Sequence, residues 1–256
     1  MTRNHIWTAL GAGCLALVAG AVLASPLATL QLAKKPPHAA QVTFLEGKAS
    51  RTEVGAAVEG PLKVGDELSQ GDLIATELRS RLELKLDDKS VIRIGPSAKI
   101  ALTEAQFSPG EQTRKLSVKL FFGNIWAKVT SAVSGDQRFA IETENAVAGV
   151  RGTTFRVDAH ADQSVLVRVY AGAVAVAKPI PIYAADLKNP SKGGKSERRE
   201  VAGPDEVSRA AWEKLVGAQM EIAVSSKGVP GEPSSFSAAD EQSDNWSKWN
   251  QERDAK

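Results

Sequence analysis

The chain has 256 residues, of which 43% are hydrophobic and 24% are charged. These fractions are those of an ordinary globular protein, and they exclude a collagen-like, wholly disordered or multi-span membrane chain. The 32 Lys and Arg residues against 30 Asp and Glu residues leave a net charge of +2, which argues against nucleic acid as a partner. Three His residues and one Cys leave little material for metal or haem chemistry, so we expect no cofactor, no metal and no catalytic residue.

Residues 1–33 are predicted to be a signal peptide or an N-terminal membrane anchor. Arg3 precedes an uncharged run from Ile6 to Ala33, and small residues offer cleavage frames that end at Ala21 and at Ala24. Residues 6–24 are also long enough to cross a bilayer, so anchoring in the inner membrane stays open beside cleavage, which we favour. In both cases we expect the rest of the chain to be periplasmic, because the positive N-terminus stays inside.

Cys14 offers a further alternative, in which the chain is a lipoprotein. Leu10 stands four positions before Cys14 rather than the usual three, and the apolar run before it is short. We therefore interpret Cys14 as a small apolar residue within the signal. The mature chain then has no cysteine, and its stability must come from packing and sheet hydrogen bonds.

The segment from Val42 to Ala177 has a hydrophobic period of two, which is typical of strands. Arg81–Leu86 and Lys115–Leu120 alternate polar and apolar residues without exception. Gly, Asp, Asn and Ser mark the turns, and no crossover helix separates the segments. The pattern predicts an all-β domain, an antiparallel sandwich, roll or jelly-roll-like wrap. Its outward Lys and Arg residues are interpreted as solvated side chains that protect sheet edges.

The segments around this domain differ from it in composition. Residues 34–41 are predicted to be a polar linker, and residues 178–200 a basic loop. Residues 201–224 are predicted to pack on the β domain as one amphipathic helix from Pro204 to Gly217, followed by a strand at Met220–Val224. That helix would bury a stripe of four apolar residues, Val207, Ala211, Trp212 and Leu215.

Residues 225–256 are predicted to be a mostly irregular, flexible tail that contains one short helix. Ser243, Asp244 and Asn245 can cap this helix, which places Trp246 and Trp249 on one face. A tryptophan can bury about 150–250 Å², so neither should stay in water. We expect both to dock on the same molecule, and the alternative is that they anchor a partner.

Several segments follow one another in a recognisable order: Gly65-Asp66, Gly71-Asp72, residues 81–96, residues 147–157 (Val-Ala-Gly-Val-Arg-Gly-Thr-Thr-Phe-Arg-Val) and residues 165–174. With this order and spacing, the region from Val42 to Ala177 resembles the FecR domain, a periplasmic module of bacterial signalling and envelope proteins. The resemblance implies a non-catalytic module that senses a signal or binds another protein. Some members of the family relay a receptor signal to a cytoplasmic sigma factor through a helical segment before the membrane span. Only five residues precede Ile6, so we do not expect that relay here.

The glycines and aspartates of this pattern are interpreted as structural. Gly65, Asp66, Gly71 and Asp72 form turn pairs in which the carboxylate can accept from nearby backbone N–H groups. Gly152 stands where a strand would otherwise continue, which predicts a bulge or a close backbone crossing. The same structural group includes two further glycines, Gly149 and Gly172.

Four residues are candidates for binding: Arg151, Thr153, Trp246 and Trp249. For Thr153 we favour a structural role, in which its hydroxyl satisfies a backbone group left open by the bulge. Arg151 could pair with an inward acid or bind a ligand.

Two functions follow from these observations. The first is an exported, non-catalytic interaction or sensing module whose partner is another envelope protein. The second is a module that binds envelope glycan or peptidoglycan through exposed tryptophans and the basic residues of 188–199. His160 is the one imidazole that could serve catalysis, and its expected place at a turn tip argues against an enzyme. The oligomeric state does not follow from the sequence.

Overall fold

The structure is a computed structural model that describes residues 38–108, 113–130, 137–150, 152–179 and 213–255. The predicted signal or anchor, Arg151 and nearly all of the basic loop lie outside these residues. Within these described ranges, seventeen strands form one continuous sheet, and two short helices follow them near the C-terminus. The prediction of an all-β fold is confirmed. Within the described residues, no helix has the length and apolar composition that crossing a bilayer requires.

The long strand β9 (Thr113–Lys128) belongs to both halves of the sheet. Half-sheet A contains the C-terminal part of β9 and, in spatial order around it, β4 (Glu67–Ser69), β1 (His38–Glu46), β6 (Arg81–Leu86), β7 (Val91–Ile94), β12 (Thr154–Ala159), β13 (Val165–Ala171), β16 (Met220–Val224) and β17 (Ser234–Ser235). Half-sheet B contains the N-terminal part of β9 and β3 (Gly60–Pro61), β2 (Ala49–Thr52), β5 (Leu73–Thr76), β8 (Lys99–Ser108), β10 (Gln137–Glu142), β11 (Val147–Val150), β14 (Ala173–Ala177) and β15 (Lys214–Gly217).

Gly123 marks the point where β9 passes from one half-sheet to the other. Its φ is +97°, and a Cβ at this position would lie 2.3 Å from the Cβ of Ala98. Only glycine fits such a close approach with a left-handed backbone. The preceding residues of β9 pair with β8, and the following residues pair with β7 and β12.

The inner faces of the two half-sheets share one hydrophobic core, as in a β-sandwich. In β6, Leu82, Leu84 and Leu86 are buried, while the residues between them face outward. The alternation that predicted these strands is therefore the alternation of an inner and an outer face.

One pair of strands departs from the predicted antiparallel arrangement. Strands β9 and β10 are parallel, with Gln137 opposite Arg114 and Glu142 opposite Lys119. A hairpin forces an antiparallel pair, whereas a connection that crosses between layers does not. The end of β9 lies in half-sheet A and β10 lies in half-sheet B, so these two strands do not form a hairpin.

Two predicted boundaries are corrected. The predicted linker at 34–41 ends earlier, because β1 begins at His38 and buries Ala39 and Ala40 completely. Residues 214–217 form the strand β15 rather than the end of a helix, and Leu215 is 71% exposed rather than buried. The open edge of β14 offers hydrogen bonds to this segment, and pairing there overrides its helical periodicity. The other three residues of the predicted stripe lie outside the described residues.

The C-terminal region is more ordered than its composition predicts. Strand β16 matches the predicted strand, and β17, α1 (Ala238–Ser243) and α2 (Asn245–Asp254) follow it. Helix α2 is the predicted tryptophan helix. Asp244 is its N-cap, as expected, since its Oδ1 accepts a 3.0 Å hydrogen bond from the backbone N–H of Trp246.

Candidate functional site

The outer face of half-sheet A carries a row of side chains that crosses the strands at right angles. The register places one residue of each of seven neighbouring strands in this row: Phe44, Glu83, Arg93, Trp126, Arg156, Arg168 and Glu221. Residues directly opposite each other project from the same face of a sheet. With strands about 4.8 Å apart, the row is roughly 30 Å long.

Residues 238–255, which comprise α1 and α2 and are called the cap below, cover this row. The burial of Trp126 shows how completely the cap excludes solvent from the row. Its neighbours Ile125 and Ala127 point into the shared core, so Trp126 points outward, yet it is only 1% exposed. Its indole N–H donates a 2.9 Å hydrogen bond to Oδ2 of Asp254 in the cap.

Arg93 is held between a carboxylate of the sheet and a carboxylate of the cap. Its Nε lies 2.7 Å from Glu83 Oε2, and its Nη1 lies 2.8 Å from Asp254 Oδ1. Arg253 of the cap also reaches Glu83, at 3.0 Å. Burial raises the pKa of Glu83, but hydrogen bonds from Arg253, Arg93 and Thr43 outweigh it and lower that pKa to about 2. Glu83 is therefore ionised at any physiological pH.

Arg156 repeats the arrangement with Asp158 of the sheet and Asp244 of the cap. Its Nε lies 2.8 Å from Asp158 Oδ2, and its Nη1 bonds to Asp244 and to the Ser247 hydroxyl. Burial raises the pKa of Asp158 above its ordinary value, against the attraction of Arg156. Burial also opposes ionisation of Asp244, but the hydrogen bond and charge of Arg156 outweigh it and lower the pKa of Asp244.

Arg168 is the third arginine of the row and is also paired twice. Its Nε lies 2.6 Å from Glu221 Oε2 of the sheet, and its Nη1 lies 2.8 Å from Glu241 Oε1 of the cap. The Tyr170 hydroxyl donates a 2.8 Å hydrogen bond to the other oxygen of Glu241. Burial is the main reason that the pKa of Tyr170 is raised, and the neighbouring charge of Glu241 adds to it.

Aromatic rings fill the space between these charges. Trp126 packs against Tyr170 with ring centroids 4.2 Å apart. In the cap, Trp246 stacks on Trp249 at 5.3 Å, and Trp249 reaches Phe44 of the sheet at 5.7 Å. Trp246 is 6% exposed and Trp249 is half-buried, so neither ring stands free in solvent as a platform for a sugar.

The cap is held by side chains. Among the described residues, every hydrogen bond between the cap and half-sheet A uses at least one side chain. Residues 238–255 contain five acidic residues and two basic ones, a formal charge of −3. The cap therefore brings negative charge to a row that contains three arginines.

The residues predicted as structural are found in turns, strands and close approaches. Asp66 Oδ2 accepts a 2.8 Å hydrogen bond from the backbone N–H of Lys63, and Asp72 Oδ2 accepts one of 2.8 Å from that of Ser69. Gly149 lies in β11 with ordinary strand geometry. A positive φ is found at the other four glycines of the pattern, Gly65, Gly71, Gly152 and Gly172.

The predicted close backbone crossing lies between Gly172 and Gly152. A Cβ at Gly172 would be 2.7 Å from the carbonyl oxygen of Gly152. Thr153 beside it is 2% exposed, and its hydroxyl donates a 3.0 Å hydrogen bond to the carbonyl oxygen of Ala173. This bond joins Thr153 to the first residue of β14.

Two further residues were considered from the sequence, Arg151 and His160. Arg151 lies outside the described residues. His160 is exposed and sits in the turn between β12 and β13, where its backbone N–H donates a 2.9 Å hydrogen bond to the carbonyl oxygen of Ser164. Its predicted position at a turn tip is confirmed.

The arginine row is what the sequence reasoning missed. Outward arginines were expected to be solvated, whereas Arg93, Arg156 and Arg168 are buried or half-buried under the cap. The available signal was an arginine or tryptophan at an outward position of four different strands. Alternation alone does not show that these positions align.

The fold and this face define a β-sandwich-like module with one charged face under a helical cap. Residues 72–175 match the family model described as FecR protein. Five of the seven residues of the row lie inside the matched region: Glu83, Arg93, Trp126, Arg156 and Arg168. The cap, residues 238–255, lies outside it.

Two solved structures of a candidate anti-sigma factor from Parabacteroides distasonis, at 1.65 and 2.50 Å resolution, are similar to the chain. Sequence identity is 17% and the TM-score is 0.44 in both comparisons. The similarity covers 65% of this chain and 60% of the other, so this chain spans less than two thirds of that protein's length. No curated protein matches the chain.

Proposed function

We propose that this chain is an exported, non-catalytic interaction or signal-sensing module of the FecR type, whose partner is another protein of the cell envelope. The observation that carries the proposal is the arginine row within the FecR-matching region. Arginine presents a planar fork of five N–H donors that suits carboxylates, and arginine and tryptophan are enriched where proteins bind one another. The row is therefore suited to holding a partner rather than to making or breaking bonds.

The chemistry of the row supports a binding role in a second way. Each arginine is paired with two carboxylates, and Glu83 is ionised throughout the physiological pH range. A group that catalyses proton transfer works best with a pKa near the operating pH. Glu83 instead carries a fixed charge at physiological pH, which favours recognition.

Site-specific photo-crosslinking in living cells tests the proposed partner. A photoreactive residue in place of Lys128, which is about half exposed beside the cap, should capture one defined envelope protein. The matched control replaces Val58, which is 76% exposed in the loop between β2 and β3 of half-sheet B. Absence of a protein adduct from the Lys128 position, or equal capture of the same protein from both positions, would count against the proposal.

Export is tested separately by fractionation and by sequencing the N-terminus of the mature protein. We expect the protein in the periplasmic fraction, either cleaved after Ala21 or Ala24 or still attached to the inner membrane. Recovery of the intact chain from the cytoplasm would contradict this part of the proposal.

A further inference from the structure

We infer that the arginine row is a docking site for an acidic, tryptophan-containing helix of the partner protein, and that the cap occupies this site as an internal ligand when the partner is absent. The inference rests on the proposed function and names the surface and the chemistry of its ligand. It follows from four features of the contact between the cap and half-sheet A.

The first feature is charge complementarity. Asp254, Asp244 and Glu241 each bind a different arginine, so the cap places one carboxylate at each of three guanidinium groups along the row. A partner helix with a similar spacing of acids can make the same three contacts. Tryptophan supplies the apolar part of the contact, since Trp249 lies 5.7 Å from Phe44 and is within 5.1 Å of the Arg81 guanidinium.

The second feature is the balance of energies that holds the cap. The attraction between buried charges is largely offset by the cost of removing both from water. No backbone hydrogen-bond ladder joins the cap to the sheet among the described residues, unlike the ladders between strands. A segment held mainly by paired charges and two rings can leave and rebind while the sandwich stays folded.

The third feature is an imperfection of the cap as a ligand. The indole N–H of Trp246 is buried and has no hydrogen-bond acceptor among the described residues. A buried donor without an acceptor loses its bond to water and gains nothing in return. A partner helix that places an acceptor or an apolar group there binds the same row more favourably than the cap does.

The fourth feature is the position of the row in the chain. The three arginines and Trp126 lie within residues 72–175, which match the FecR model, whereas the cap follows the matched region by more than sixty residues. The three arginines and Trp126 are thus part of the FecR-matching region, and the covering segment lies C-terminal to that region.

Binding of the cap sequence in trans tests the inference. The probe is a fluorescent synthetic peptide of residues 238–255, titrated against the full mature chain and followed by fluorescence anisotropy. In the wild-type chain the internal cap competes with the peptide. Trp249→Ala removes ring contacts that hold the cap, so this variant should bind the peptide about tenfold more tightly than the wild type, because a larger fraction of its sites is open. The matched control is Lys248→Ala, which alters an exposed residue of the same helix and should leave peptide binding at the wild-type level.

The chemistry of the contact is tested on the same folded variant. A second peptide, in which Glu241, Asp244 and Asp254 are replaced by Gln, Asn and Asn, should not bind the Trp249→Ala chain. Arg156→Gln in that chain should weaken binding of the acidic peptide, and salt should do the same. Equal binding of both peptides, or equal affinity of the wild type and the Trp249→Ala chain, would overturn the inference.

Other occupants of the row give distinguishable results. A Trp249→Ala chain that dimerises by exchanging caps and takes up no peptide would assign the row to a second copy, which overturns the inference. Displacement of the peptide by soluble peptidoglycan fragments but not by unlabelled acidic peptide would assign it to a glycan, with the same consequence. If the peptide binds as expected but Lys128 captures no envelope protein, the docking face stands and the proposed function fails. If Lys128 captures a partner but the peptide does not bind, the function stands and this inference fails.

Discussion

The indole N–H of Trp126 and the carboxylate of Asp254 form a 2.9 Å hydrogen bond across 128 residues of chain. Trp126 lies in the strand that joins the two half-sheets, and Asp254 lies in the last turn of α2. The same carboxylate also pairs with Arg93 at 2.8 Å. One residue of α2 therefore satisfies both a buried donor and a buried cation of the FecR-matching region.

Asp254→Asn should destabilise the protein, because it leaves the buried Arg93 with one carboxylate fewer while keeping the size of the side chain. We expect a loss of about 1–3 kcal/mol in the free energy of unfolding, measured by urea denaturation. Glu252→Gln is the matched control, since it removes one negative charge from an exposed position of the same helix. It should change the free energy by less than about 0.5 kcal/mol. Equal effects of the two substitutions would mean that the contact of Asp254 with the row contributes nothing.

Glu83 should make stability depend on pH in acid. Its pKa is about 2 in the folded protein against an ordinary value of 4.5, so on acidification the unfolded chain takes up the proton first. The stabilisation is complete above pH 4.5 and is lost as the pH falls from there toward 2. The difference between the folded and unfolded pKa values corresponds to at most roughly 3 kcal/mol in the free energy of unfolding.

The effect of Glu83 is isolated by comparing urea midpoints of the wild type and Glu83→Gln across this acid range. The wild type should lose its advantage over the variant as the pH falls. Asp158 acts in the opposite direction, because burial raises its pKa and its protonation relieves that cost, but it is present in both proteins. A constant difference between the two proteins at all pH values would contradict the assignment to Glu83.

Gly172→Ala should strain the backbone crossing beside Thr153. The φ of Gly172 is +84°, and the new Cβ would meet the carbonyl oxygen of Gly152 at 2.7 Å. We expect a loss of about 1–3 kcal/mol, visible as a lower thermal midpoint. The control is Gly149→Ala in β11, where the nearest atom would lie at 3.9 Å and the thermal midpoint should not fall. A Gly172→Ala protein as stable as this control would show that the crossing tolerates a side chain.

Arg168 and Glu241 should be energetically coupled. A double-mutant cycle with Arg168→Gln and Glu241→Gln should give a coupling energy of about 0.5–3 kcal/mol, because this ion pair is largely buried. The exposed pair of Lys214 and Glu232 has the same 2.8 Å distance, and Glu232 is 82% exposed there. Its cycle should give less than about 1 kcal/mol. Coupling in the second pair as strong as in the first would mean that burial under the cap does not strengthen the contact.

Local chemistry is enough to derive much of this fold from the sequence. Alternation in residues 81–86 predicts a strand and which side chains it buries, since successive residues of a strand face opposite sides. The Asp66 and Asp72 turns and the Asp244 cap follow in the same way, because each is a bond between a side chain and a backbone group two or three residues away. The FecR resemblance also rests on such local segments in a fixed order.

What the sequence by itself determined is the all-β class, the turns and the tryptophan helix. The tertiary structure alone decided that 214–217 pair as a strand, that β10 runs parallel to β9, and that the outward side chains of seven strands form one row. The reason is register: alternation tells on which face Arg93 and Arg156 lie, but their alignment on either side of Trp126 depends on strand pairing across 63 residues. Such pairing exists only in the assembled sheet. The acidic cap packs on the surface that the assembled sheet presents.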